Sequence, residues 1–215
     1  YTPKELYQSG SATAGLHYLS DPDYTHNYYV DVNLAANDVY INASSAPLGT
    51  PNWETILAGG YGAGGRGVFA LNVTDASFPD SVTGAQNTVL WEFSDANSTY
   101  MGYSYSEPRI ALLNNNKWAV IFGNGYNSDN GKAALIILYI EGGIDGTWVL
   151  NSDYKIIDTG VGDAANKSGI GEITAIDLDN DFVVDRIYGS GIDGKLWAFD
   201  LSDSNASNWD VAYGT

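Results

Sequence analysis

The chain has 215 residues, 44% of them hydrophobic and 13% aromatic, enough for one all-β domain with a sizeable core and too apolar for extended disorder. Its 26 acidic and 9 basic residues leave a net charge of −17, which argues against a nucleic-acid surface and against docking on anionic lipid. With no cysteine, disulfides, thiolate metal centres and cysteine catalysis are excluded; no run of about eighteen apolar residues offers a membrane-inserting helix.

Residues 1–27 read as a polar, tyrosine-bearing lead-in, with loop signals at Ser9–Ser11 and Ser20–Asp23 and a short helical turn at Lys4–Tyr7. The opening Tyr1-Thr2-Pro3 carries neither methionine nor an apolar leader, so the chain reads as an excised or processed piece whose export signal lies upstream. From Tyr28 onward, short runs of Val, Ile, Tyr, Phe and Trp alternate with Gly, Asn, Asp and Ser clusters, the pattern of strands and turns.

Three hairpins recur. Trp53–Gly60 leads through a glycine turn into Gly67–Val73, Trp118–Gly125 into Gly131–Leu138, and Val184–Gly191 into Gly194–Asp200. Their second strands open at residues 67, 131 and 194, spacings of 64 and 63. A strand is expected before each hairpin, at Tyr28–Asp31, Pro108–Leu113 and Ile173–Asp177. Another is expected after it, at Val89–Phe93, at Trp148–Leu150 or Lys155–Ile157, and at Asn208–Ala212. Four strands per repeat at a long fixed period predict an all-β fold of the β-propeller type. The blades are expected at 28–95, 106–165 and 168–213 within one propeller region spanning 1–215. Three blades do not close a ring, which takes about four to eight, so an incomplete part of a larger, quinoprotein-like propeller is predicted. A three-repeat solenoid or a stack of separate sheets is the weaker alternative.

Gly62–Gly67 matches G-x-G-x-x-G, but strand-like residues follow where a dinucleotide site needs a helix, so a hairpin turn with left-handed glycines is expected. Gly125–Lys132 resembles a phosphate loop with one residue too many and Ala133 in place of Ser or Thr. His17 and His26 are the only histidines, both in the lead-in, and no nucleophile elbow accompanies them. Glu107 and Glu172 occupy corresponding positions ahead of two inner strands; a paired-carboxylate site is conceivable there, although repeat symmetry explains them equally well. No catalytic residue is assigned.

The richest chemistry lies in Asp177–Asp185. Asp177, Asp179 and Asp181 alternate, Asp185 follows, and no lysine or arginine lies among them. Hard oxygen donors at positions 1, 3, 5 and 9, with a backbone carbonyl at 7, form the first part of a calcium loop. The expected ligands for Ca2+ are therefore Asp177, Asp179, Asp181, the carbonyl of Val183, and Asp185. A solvated acidic turn is the competing reading. Glycine usually stands at positions 4 and 6 of such loops, where this chain has Asn180 and Phe182, and Tyr188 replaces the acid at position 12. A more open or weaker site is expected, because Phe tolerates left-handed backbone poorly.

Thr25–Asp31, Trp53–Asp75, Trp118–Lys132 and Thr174–Leu201 together resemble the C-terminal propeller of the PilC/PilY family of type IV pilus biogenesis proteins. The resemblance implies an exported, surface-exposed, pilus-associated protein that is not an enzyme. It would support pilus assembly against retraction, adhesion and surface motility, with pilins or minor pilins, the remaining blades and an N-terminal domain as partners, and a host or surface ligand besides. It also implies that the family's calcium loop maps onto Asp177, Asp179, Asp181, Val183 and Asp185. Two other classes stay open: an integrin-like or lectin-like calcium-dependent module, which repeats the loop in several blades, and a quinoprotein-type dehydrogenase, which needs a base and a cofactor-stacking tryptophan around its channel.

Overall fold

The computed structural model describes residues 3, 15–43, 49–75, 77 and 81–213; the turn expected at Lys4–Tyr7 lies outside them. Three four-stranded antiparallel sheets follow one another along the chain, as the repeat predicts. The first contains β1 (Ala35–Ile41), β2 (Asn52–Gly60), β3 (Gly67–Asn72) and β4 (Val89–Ser94). The second contains β5 (Arg109–Leu112), β6 (Trp118–Gly123), β7 (Ala134–Tyr139) and β8 (Tyr154–Asp158). The third contains β9 (Ile170–Ile176), β10 (Arg186–Gly191), β11 (Leu196–Asp200) and β12 (Asp210–Val211). Each is a meander in chain order, so all pairings are local hairpins. This is a set of propeller blades, and the described residues do not close a ring.

Alternation along the strands distributes side chains between two cores. Val120, Phe122, Ile136 and Leu138 of the middle sheet face Ile56, Ala58, Val68 and Ala70 of the first. Ala119, Ile121, Leu135 and Ile137 face Ile173, Ile187 and Phe199 of the third. Every residue of β7 is buried because both of its faces are covered, which is why it reads as an unbroken apolar run. Full burial of each Ile or Leu contributes about 1.5–3 kcal/mol, so these two cores hold the sheets face to face. β1 neighbours β5 and β9 neighbours β6 toward one edge of the stack, and β8 meets β12 at the other.

Several expected elements shift. Tyr28–Asp31 is not a strand; the first strand is β1, beginning at Ala35. The earlier segment lies across the β2–β3 loop instead, where Asp31 N–H donates to the Tyr61 carbonyl (3.2 Å). That approach accounts for the glycines. A Cβ on Gly64 would collide with the Tyr29 carbonyl, and one on Gly62 with that of Asp31. Only Gly62 of this loop has a left-handed φ, +58°, and Gly62–Gly64 forms a 3₁₀ turn. The loop does join two strands, but most of its glycines serve close packing.

In the middle sheet β8 takes the Lys155–Ile157 option, while Leu150 makes only an isolated bridge to Tyr154. The last strand is shorter than expected, because Ala206–Asn208 forms a 3₁₀ turn before it. An unanticipated helix, α1 (Val82–Thr88), precedes β4; the Ser81 side chain caps it by accepting from Gly84 N–H (3.0 Å). Among the described residues no helix is long and apolar enough to cross a membrane.

Candidate metal-binding loop

The acidic run joins β9 to β10, the first and second strands of the third sheet. Its base is closed by Asp185 N–H donating to the Ile176 carbonyl (3.0 Å). Asp177 organises the interior. One of its oxygens accepts from Asn180 N–H (2.7 Å) and Asp181 N–H (3.3 Å), and the other from Phe182 N–H (2.8 Å). Burial acts against the charged form of Asp177, but the Phe182, Asn180 and Asp181 amides outweigh it and hold its pKa below the ordinary carboxylate value.

Wrapping three amides around one carboxylate requires a tight backbone. Asn180 has φ +66° and Phe182 φ +71°, the left-handed region at the two positions where glycine is usual. The more open loop expected from these residues is therefore not found. Phe182 adopts the turn despite a cost of about 1–2 kcal/mol for a residue with a Cβ, and its ring is 91% exposed. No packing compensates that cost; the amide contacts to Asp177 are what the conformation secures.

Asp177, Asp179 and Asp185 converge. One carboxylate oxygen from each lies within 4.8 Å of the other two, a group that could hold a metal ion. Oxygens around one calcium ion, each at about 2.3–2.6 Å, are at most about 5 Å apart, so the spread suits such an ion. Asp185 is buried: one oxygen accepts from Leu178 N–H (2.8 Å) and the other from the side-chain amide of Asn114 (3.1 Å). Asp179 is exposed, and its pKa is raised, first by partial desolvation and then by the charges of Asp181, Asp185 and Asp177. The nearest arginine in sequence does not relieve this, since Arg186 pairs with Asp200 (3.0 Å) and donates to the Tyr213 hydroxyl (2.9 Å).

Asp181 stands apart from the group, its carboxylate accepting from Val183 N–H (2.8 Å) in a local turn. Three of the four expected carboxylates are thus brought together. Asn114, missed in the sequence, lies in the hairpin between β5 and β6 of the neighbouring sheet. The clue would have been its place: that hairpin is the second repeat's counterpart of the acidic loop.

The catalytic alternative fares differently. Glu107 and Glu172 do come together, but Arg109 bridges them at 2.9 and 3.1 Å, and Glu107 N–H donates to Glu172 (3.0 Å). Asn33 adds a bond to Glu107 (3.1 Å), so this constellation ties the first-strand ends of three sheets together. His26 packs its ring edge against Tyr28 at 4.8 Å.

Comparison with known proteins gives a consistent family. A family model described as the PilY1 beta-propeller domain matches residues 5–213. The type IV pilus biogenesis factor PilY1 homolog of Xylella fastidiosa (strain Temecula1) is 38% identical over 215 residues, covering 99% of this chain and 14% of that protein. PilY1 of Pseudomonas aeruginosa (strain UCBPP-PA14) is 31% identical over 201 residues, covering 94% of this chain and 15% of that protein. The crystal structure of the Pseudomonas aeruginosa PilY1 C-terminal domain matches with a TM-score of 0.69 at 29% identity, over 100% of this chain and 40% of that one.

Proposed function

Because the chain belongs to the PilY1 β-propeller family, we propose that it is the calcium-binding propeller region of a type IV pilus biogenesis factor. It acts outside the cell at the pilus, supporting assembly against retraction, adhesion and surface motility. Its partners are pilins or minor pilins, further blades of the same propeller, and a host or surface ligand. The family itself consists of pilus biogenesis factors, and no catalytic role is needed to account for the site.

The observation that carries the calcium reading is the convergence of Asp177, Asp179 and Asp185 in a loop whose left-handed Asn180 and Phe182 fold it around Asp177. Asp181, by giving up its bond to Val183 N–H, and the Val183 carbonyl would complete the donor set. The donors are all oxygen, which favours a hard cation such as calcium over a softer metal. Bound there, the cation supplies positive charge that offsets the mutual repulsion of the carboxylates. The residues do the rest: Asp177 orders the loop backbone, Asp185 anchors it to the core, and Asp179 closes over it from solvent.

The equivalent connections elsewhere carry no acid, neither residues 42–51 nor residues 113–117. A single loop supports a pilus-type propeller over an integrin-like or lectin-like module that repeats the site. The test is thermal melting with and without calcium. At a hundredfold excess over Kd, calcium stabilises by about 2.7 kcal/mol, which raises Tm by about 5–10 °C in a domain of this size. Asp179→Ala should abolish the rise, and the same substitution in the parent protein should reduce surface piliation. A wild-type melting curve indifferent to calcium would overturn the reading.

A further inference from the structure

We infer that the acidic loop is a latch between the second and third sheets, with Asn114 as the positioning residue that carries its state across the boundary. The inference rests on the calcium reading and concerns what occupancy does to the fold.

Asn114 belongs to the Leu113–Lys117 hairpin, which allows it little freedom. Leu113 is 1% exposed, Leu113 N–H donates to the Lys117 carbonyl (3.0 Å), and Asn116 N–H returns to the Leu113 carbonyl (2.8 Å) with Asn116 at φ +60°. From this fixed mount the Asn114 amide nitrogen reaches three acceptors of the third sheet: Asp185 (3.1 Å), the Val184 carbonyl (3.3 Å) and the Leu201 carbonyl (3.0 Å). All three partners are acceptors, so it is the NH₂ end of the amide that must face them.

Beside it the backbones join. Val184 N–H donates to the Leu112 carbonyl (3.0 Å), and Leu113 and Val184 form a parallel bridge. Leu201 N–H donates back to the Asp185 carbonyl (2.7 Å). Asp185 therefore belongs to two systems: the cluster with Asp177 and Asp179, and a junction made of Asn114, Leu112, Val184 and Leu201. A charge change in the first is felt at the second through one buried carboxylate. With Asp177, Asp179 and Asp185 held by a cation, Asp185 stays where Asn114 can bond it. Without one, repulsion pushes the loop outward and takes Val184 with it.

The experiment reads both halves in the full chain. Calcium affinity is measured by titration calorimetry, Tm is read with and without calcium, and hydrogen–deuterium exchange is followed in peptides covering residues 110–114 and 182–186, for wild type, Asn114→Ala and the similarly branched, apolar Asn114→Leu. The expected results are slower exchange in both peptides when calcium binds wild type, about tenfold or greater loss of affinity in the variants, and loss of calcium-dependent protection in residues 110–114. A merely structural Asn114 would lower Tm equally with and without calcium and leave affinity unchanged; that outcome overturns the latch. So does wild-type protein that binds calcium with no change in the exchange of residues 110–114, a result that needs no variant to fold. Failure of wild type to bind calcium at all overturns the calcium reading itself and removes this inference with it.

Discussion

Asp179 and Asp177 stand two residues apart and respond to charge in opposite senses. The Asp179 pKa is raised in the folded loop, by desolvation and by three neighbouring aspartates. A carboxylate with a raised folded pKa contributes stability at low pH that is lost as pH rises through that value, so at neutral pH its charge destabilises the cation-free fold. The Asp177 pKa is lowered: despite burial, three loop amides favour its charge, and its contribution is present above the unfolded value and lost as pH falls through the folded one. Melting in chelator at pH 7 should therefore show Asp179→Asn above wild type and Asp177→Asn below it. The gain of Asp179→Asn should shrink on acidification to the carboxylate range. Equal losses for both variants would mean that the loop does not store repulsion at Asp179.

Among the elements, the second strand of each hairpin was the most readable part of the chain. Gly67, Gly131 and Gly194 mark the turn exits, and the apolar runs that follow are β3, β7 and β11. The first strand of the first sheet was not readable. Ala35–Asp38 has little β propensity and is mostly exposed, whereas Tyr28–Asp31 has the composition of a strand yet serves as a strap over the Gly62–Gly64 turn. Helix α1 escaped because Thr83, Gly84, Asn87 and Thr88 are weak helix formers, so capping by Ser81 and packing beside β3 and β4 decide its conformation.

In the acidic loop the ligand pattern was legible, because alternate aspartates are a local feature. The role of Asn114 was not, since it acts on a residue 71 positions away. The strap gives a test of its own. Gly64→Ala would drive a methyl group into the Tyr29 carbonyl, a backbone atom that cannot swing aside. It should cost about 1–3 kcal/mol, read as a lower urea midpoint with an unchanged slope. A neutral substitution would show that the strap is not held against the loop.

At the scale of the molecule, polar links supplement the two cores. Tyr100, in the connection from the first sheet to the second, donates to Asp158 (2.9 Å), which also pairs with Lys132 (2.9 Å). Burial opposes the charge of Asp158, yet Lys132, the Gly160 amide and Tyr100 lower its pKa, while Asp158 raises that of Lys132. Tyr100 is raised as well, by burial first and then by Asp158. The Asp158 contribution is lost as pH falls below the usual carboxylate range; those of Lys132 and Tyr100 are lost as pH rises beyond their ordinary values near 10. Stability should form a plateau between these limits, with Asp158→Asn flattening both limbs of the Tm–pH profile. An unaltered profile would assign no role to this triad.

The division into two cores also separates the tryptophans. Trp91 is buried in the first core, with Trp118 and Trp148 packed against it, and Trp148 sets its ring edgewise to Phe93 at 5.1 Å. Trp197 and Trp209 are buried in the second core, alongside Val184 and Leu201 of the junction at the acidic loop. Trp53 is 59% exposed. The indoles of the second core differ from each other as well: Trp209 donates to the Asp203 carbonyl (2.6 Å), whereas the Trp197 N–H has no hydrogen-bond partner among the described residues. Intrinsic fluorescence thus divides by sheet boundary. Loosening at the acidic loop should therefore redden the emission of Trp209, which precedes the Asp210–Asp200 pair at that end of the sheet, before that of Trp197, which pairs with Gly189 farther along the hairpin, and should leave the indoles of the first core unchanged.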